Sequence, residues 1–164
     1  MAAQEKYRLT ALLGLRERAK DDAQRYLGDC MRIHKEEQDR LKAMEGELER
    51  MIAKRETKER DYAQKAMRGE MDARGAVASN VYIDRLKEQE ELQKGAIEGQ
   101  IQVLRQKQED VDAAREDLVK ANQEMKALEK HKENWVEKIK KEKAAKEEAQ
   151  QDEQAQTIYL NRDR

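Results

Sequence analysis

From Ile83 the sequence repeats every seven residues: Ile83, Glu90, Ile97, Leu104, Val111, Leu118, Met125, Lys132 and Ile139, of which only Glu90 and Lys132 are polar. Three or four residues away lie Leu86, Ile101, Ala114, Ala121, Leu128 and Trp135. This spacing puts both sets on one stripe of an α-helix and predicts a left-handed coiled-coil seam. A seam is also nearly all the chain can bury. Leu, Ile and Val number 26 in 164 residues, Trp is single and Phe is absent. Such a chain cannot cover a compact core. Disorder is disfavoured as well. Charged residues make up 43 %, yet 35 Lys and Arg nearly balance 36 Asp and Glu, and there is no Pro. Near-neutral mixed charge with 21 Ala reads as long helix.

The first half follows the same rule with one slip. Leu9, Leu12, Ala19, Ala23, Tyr26, Cys30 and Ile33 advance in steps near three and four; Leu41, Met44, Leu48, Met51, Arg55 and Tyr62 resume one position late. The gap from Cys30 to Leu41 is a four-residue stutter, which locally unwinds a supercoil. One break separates the halves. Residues 67–80 contain Gly69 and Gly75 and end in Ser79-Asn80, a helix N-cap pair. The expected organisation is a single all-α unit over 1–164: helix one about 4–70, a turn about 71–79, helix two about 80–156, and a frayed C-terminal tail. Helices of similar length joined by a short break pack as an antiparallel coiled-coil hairpin. Folding about residue 75 places Trp135 beside Leu12 to Leu15, with Gly14 making room for the indole, and Ala121 near Gly28. Each arm would be about 100 Å long at 1.5 Å per residue.

The charges are unevenly placed. Residues 5–20 carry five positive and two negative charges, and residues 126–146 carry eight and four. The hairpin brings these segments together as a basic end. Residues 36–49 and 109–117 are acidic and are expected to meet partway along. The alternative is that these are solvated faces laced with i,i+4 pairs.

Several function classes drop out. No run approaches the roughly 18 apolar residues of a membrane span, and Met1 to Arg8 lacks a secretory signal's apolar stretch. A net charge of −1 gives no global attraction to nucleic acid. The lone Cys30 fits a reducing cytoplasm. A two-helix hairpin offers no enclosed pocket for catalysis, and no phosphate-binding glycine loop is present. Cys30 and His34 have an i,i+4 spacing that suits two metal ligands, but a seam cysteine beside a surface histidine explains it as well. No enzyme activity, metal or cofactor is expected.

Three stretches resemble the FliJ/YscO stalk proteins of bacterial type III export. Residues 7–19, Tyr-Arg-Leu-Thr-Ala-Leu-Leu-Gly-Leu-Arg-Glu-Arg-Ala, are similar to that family's opening. Residues 115–133, REDLVKANQEMKALEKHKE, resemble it more closely, and Asp152-Glu153-x-Ala155 through Tyr159 to Arg164 resembles its C-termini. Residues 115–133 and the ending are nearer the flagellar FliJ form than the injectisome YscO form. The resemblance implies a non-catalytic stalk whose paired termini enter a hexameric export ATPase, promote ring assembly and couple it to the export gate. It implies that export chaperones bind as well. It places Leu9, Leu12, Arg16, Arg18, Lys130, Glu133, Trp135 and Lys138 at the ATPase end. It places Tyr82, Leu86 and Gln93, with Tyr62 opposite them, at the end facing the gate's cytoplasmic domain. The implied setting is cytoplasmic, peripheral at the membrane export apparatus, without membrane insertion or nucleic acid, and monomeric when isolated. The alternative is a generic structural coiled-coil scaffold or spacer, including a parallel dimer of one continuous helix.

Overall fold

The computed structural model describes residues 7–162. Two helices account for nearly all of them: α1, Thr10–Met67, and α2, Ala73–Arg162. They pack as an all-α hairpin, and no strand occurs among the described residues. By its contacts the chain divides into two compact units. Met1–Arg25 with Glu116–Arg164 form a terminal unit, and Tyr26–Arg115 form a turn unit.

The turn is built at 68–72, earlier than the sequence reading put it. Gly69 adopts φ of 69°, the left-handed conformation that glycine reaches without a Cβ penalty. Around it the Gly69 N–H donates to the Ala66 carbonyl at 3.2 Å and the Glu70 N–H to the Lys65 carbonyl at 3.0 Å. This pair is the Schellman C-cap, which satisfies the last carbonyls of α1. Asp72 then caps α2: its carboxylate accepts from the Gly75 N–H at 2.7 Å, and its carbonyl accepts from the Ala76 N–H at 2.9 Å. A Cβ on Gly75 would stand 3.0 Å from that carboxylate oxygen, so the glycine lets the cap close tightly. Ser79 and Asn80 are therefore not the cap. Ser79 lies inside the helix, its hydroxyl donating to the Gly75 carbonyl at 2.8 Å. A continuous helix through 67–80 is likewise excluded.

Moving the turn moves every pairing. Arg16 meets Glu124, where folding about residue 75 would bring residue 134. Tyr7 meets His131 and Trp135; Arg55 meets Glu90. The shift is roughly one and a half to three and a half helical turns. Trp135 therefore stacks on Tyr7 and not into space beside Gly14, where an added Cβ would meet nothing within 4 Å. The acidic stretches do not meet, because Glu37 faces Gln100 and Cys30 faces Val111 and Ala114. The helices are also unequal, 58 residues against 90. From Lys140 to Arg162 every residue is exposed.

The turn unit holds most of the buried side chains: Cys30, Ile83, Leu86, Ile97, Val111 and Ala114, together with the polar Glu90 and Gln100. Ile101 is 40 % exposed and leaves the seam. Its neighbour Gln100, at the strict heptad position, takes the place. The Gln100 amide donates to the Glu37 carbonyl at 3.1 Å and to its carboxylate at 2.6 Å. One heptad earlier, Gln93 donates to the Met44 carbonyl at 3.0 Å. The stutter in α1 thus faces a polar stretch of α2, and hydrogen bonds fill the layer that apolar side chains leave empty.

Candidate functional site

All eight residues expected at the ATPase end fall in the terminal unit. Tyr7, just before α1, is held by Thr10, whose backbone N–H and hydroxyl both donate to the Tyr7 carbonyl at 3.2 and 2.7 Å. Its ring is buried and lies 5.3 Å from Trp135 at 52°, a tilted contact favoured by the ring quadrupoles. Tyr7 Oη sits 2.6 Å from His131 Nδ1. Leu9, Leu12 and Trp135 are half-buried. Arg16 bridges the helices to Glu124. Arg18 is exposed. Lys130 and Glu133 pair with each other at 3.5 Å, and Lys138 pairs with Glu142 at 3.9 Å. Such exposed i,i+3 and i,i+4 pairs are weak, so these charges remain open to exchange partners. An open groove beside them runs past Leu13, Glu17, Val136 and Lys140.

Tyr7 and His131 were absent from the sequence-predicted set. The signal for Tyr7 was its place at the head of the Leu-rich opening. Three further residues were missed at the far end of α2. Ile158, Tyr159 and Leu160 are 67–70 % exposed, an apolar triplet at the end of an otherwise polar helix.

The four residues expected at the gate end fall in the turn unit, and all face the seam. Tyr62 and Tyr82 meet edge to face, with ring centroids 6.4 Å apart. Leu86 is buried, and the Gln93 amide is spent on Met44. Between them lies Glu90, 5 % exposed, accepting from Arg55 Nε at 2.6 Å. Arg55 also donates to Glu59 at 3.0 Å. The Glu90 hydrogen bond, with Glu59 adding to it, holds the Arg55 guanidinium pKa above the ordinary arginine value. Cys30 packs against Val111 and Ala114 with Leu27 alongside. Among the described residues no cluster of three or more His, Cys, Asp or Glu could hold a metal. No described helix is long and apolar enough to cross a membrane.

Fold and surface together define a coiled-coil hairpin that displays charged helix faces. The chain belongs to the YscO-like family, whose sequence model matches residues 4–164, a family associated with type III secretion. A solved structure of a proposed YscO homologue from Chlamydia trachomatis shares the fold. It superposes with a TM-score of 0.83 at 22 % identity, covering 94 % of this chain and 95 % of that one. A comparison with curated proteins gives no match.

Proposed function

We propose that the chain is a non-catalytic stalk of a type III protein export machine. Its paired termini enter the pore of a hexameric export ATPase, promote assembly of the ring and couple it to the cytoplasmic domain of the export gate. It also escorts export chaperones. It acts as a monomer in the cytoplasm, peripheral to the membrane apparatus, with neither cofactor nor nucleic acid. The observation that carries this reading is the YscO-like match over 4–164, which coincides with a hairpin whose two basic segments, 5–20 and 126–146, fall in the same unit. Among the described residues Lys130 and Lys138 make only weak exposed pairs and Arg18 makes none, which suits docking of these cations against acidic or carbonyl groups of a pore. The exposed α2 segment with Ile158, Tyr159 and Leu160 adds an apolar contact within the ring. The YscO-like match favours the injectisome branch over the flagellar one.

The test uses the purified protein and its cognate ATPase. Combined Arg18→Glu, Lys130→Glu and Lys138→Glu are expected to reduce stimulation of ATP hydrolysis severalfold, with the remaining stimulation falling as salt rises. Arg16 is left alone because it bridges the helices to Glu124. Arg85→Glu with Lys87→Glu, in the turn unit, should leave stimulation intact. Equal effects from the two sets would overturn the stalk reading.

A further inference from the structure

The face of α2 turned away from the seam carries a second, shorter seam of its own. Val77, Val81, Asp84, Glu88, Leu92, Gly95 and Gly99 recur in steps of three and four, so they form one stripe. Ile83, Leu86, Glu90, Ile97 and Gln100 occupy the opposite, buried side. The apolar members are open to solvent: Val77 is 64 % exposed, Val81 54 % and Leu92 75 %, with Val103 at 40 % continuing the stripe. A Cβ built on Gly95 or Gly99 would meet nothing within 4 Å. The hairpin's own packing therefore has no use for these glycines, although each costs about 1 kcal/mol against alanine inside a helix. Together with Leu92 between Glu88 and Gly95, they leave a low strip of backbone beside one projecting apolar side chain. Another helix packs closely on such a surface.

The charges on the stripe select which helix. Asp84 and Glu88 lie in line with the apolar residues, Glu91 and Glu98 flank one side and Arg85 the other, so carboxylates outnumber cations along the stripe. Lys94 pairs with Glu91 at 2.9 Å. Among the described residues no cation pairs with Asp84, Glu88 or Glu98. An apolar or acidic partner would bury these carboxylates uncompensated, at high cost. A partner with lysine or arginine beside its apolar stripe satisfies them.

We infer that the outer face of α2, from Val77 to Val103, is a docking surface for a cationic amphipathic helix of another protein. The partner's apolar side chains seat on Leu92 and the two glycines, and its cations meet Asp84, Glu88 and Glu98. This inference does not use the export reading, and its test contains no ATPase.

The probe is a synthetic, labelled amphipathic helix of Leu, Ala and Lys, about eighteen residues or five turns long, titrated into the full-length protein. Its twin carries Glu for every Lys. Saturable one-to-one binding is expected for the cationic peptide, weakening with salt and at least tenfold weaker for the twin. Leu92→Lys, and separately the pair Gly95→Leu and Gly99→Leu, should each weaken binding at least tenfold. Leu15→Lys, at an exposed apolar site of the terminal unit, should not. Circular dichroism on each variant keeps a folding defect from passing as lost binding. Unsaturable binding, or equal loss from Leu15→Lys and Leu92→Lys, would overturn the proposal. So would sedimentation showing a dimer of the protein alone that Leu92→Lys dissolves, since a second copy would then own the face.

Discussion

The two units of the hairpin solve the same packing problem differently. In the turn unit the helices are tied across the seam by Arg55 to Glu90, Gln93 to the Met44 carbonyl and Gln100 to Glu37. These polar layers alternate with buried Ile83, Leu86, Ile97, Val111 and Ala114. In the terminal unit only Tyr7 and Leu13 are buried among the described residues. Its ties are the Arg16 to Glu124 ion pair and the contacts of Tyr7 with His131 and Trp135. The difference shows where a sparse apolar supply has been spent. The seam of one unit is closed by its own side chains, and the seam of the other leaves charge and apolar surface half-open.

The sharpest way to break that contrast is to remove a side chain from the satisfied unit. Leu86→Ala should cost about 2–4 kcal/mol of unfolding free energy, read from a urea titration of the whole chain. If the loss is no larger than for Leu13→Ala, the two units are equally stabilised and the contrast fails. Gly69→Ala comes next. Forcing a Cβ into the left-handed turn should cost about 1–2 kcal/mol and lower the thermal midpoint without changing helix content at low temperature. Tyr7→Phe keeps the ring on Trp135 and deletes the hydroxyl facing His131. A loss of about 1 kcal/mol is expected, and one near zero would mean that the aromatic contact alone holds the start of α1. The smallest effect should follow from ending the chain after Lys146. Residues 147–162 cover nothing and are exposed throughout. Stability should therefore shift by less than about 0.5 kcal/mol, while far-ultraviolet ellipticity drops. Hydrogen exchange should find that segment far less protected than residues 104–128.

Much of this architecture was legible in the heptads. The positions of Ile83, Leu86, Ile97, Val111 and Ala114 follow from period alone, and two helices with a break imply a hairpin. The turn's location was not legible by the same means. Ser79-Asn80 has the composition of an N-cap, but capping depends on which backbone N–H groups lack partners. The Schellman bonds at Gly69 and the Asp72 carboxylate had already settled that seven residues earlier. Every cross-helix pairing inherits this offset. The polar layers were half legible. Glu90 stands as a polar exception in one heptad series and Arg55 as a member of the other, and only their juxtaposition makes them a pair. Gln100 was passed over for the apolar Ile101 next to it, because hydropathy does not report that an amide has a carbonyl within reach. The apolar triplet Ile158 to Leu160 is plain in the sequence, but its meaning depends on the exposure of the helix around it.

The two glutamine bonds have a consequence for how the hairpin keeps its alignment. Gln93 and Gln100 are one heptad apart, and so are the carbonyls of Met44 and Glu37 that receive them. A vernier with two identical marks cannot tell its own zero from the next graduation. If α1 slid by one heptad, a glutamine would again find a carbonyl, and the backbone acceptors would not object. The slide would instead part Arg55 from Glu90 and strand a buried carboxylate. The turn at Gly69 and Asp72 and that ion pair make the scale absolute, and the glutamines make it fine.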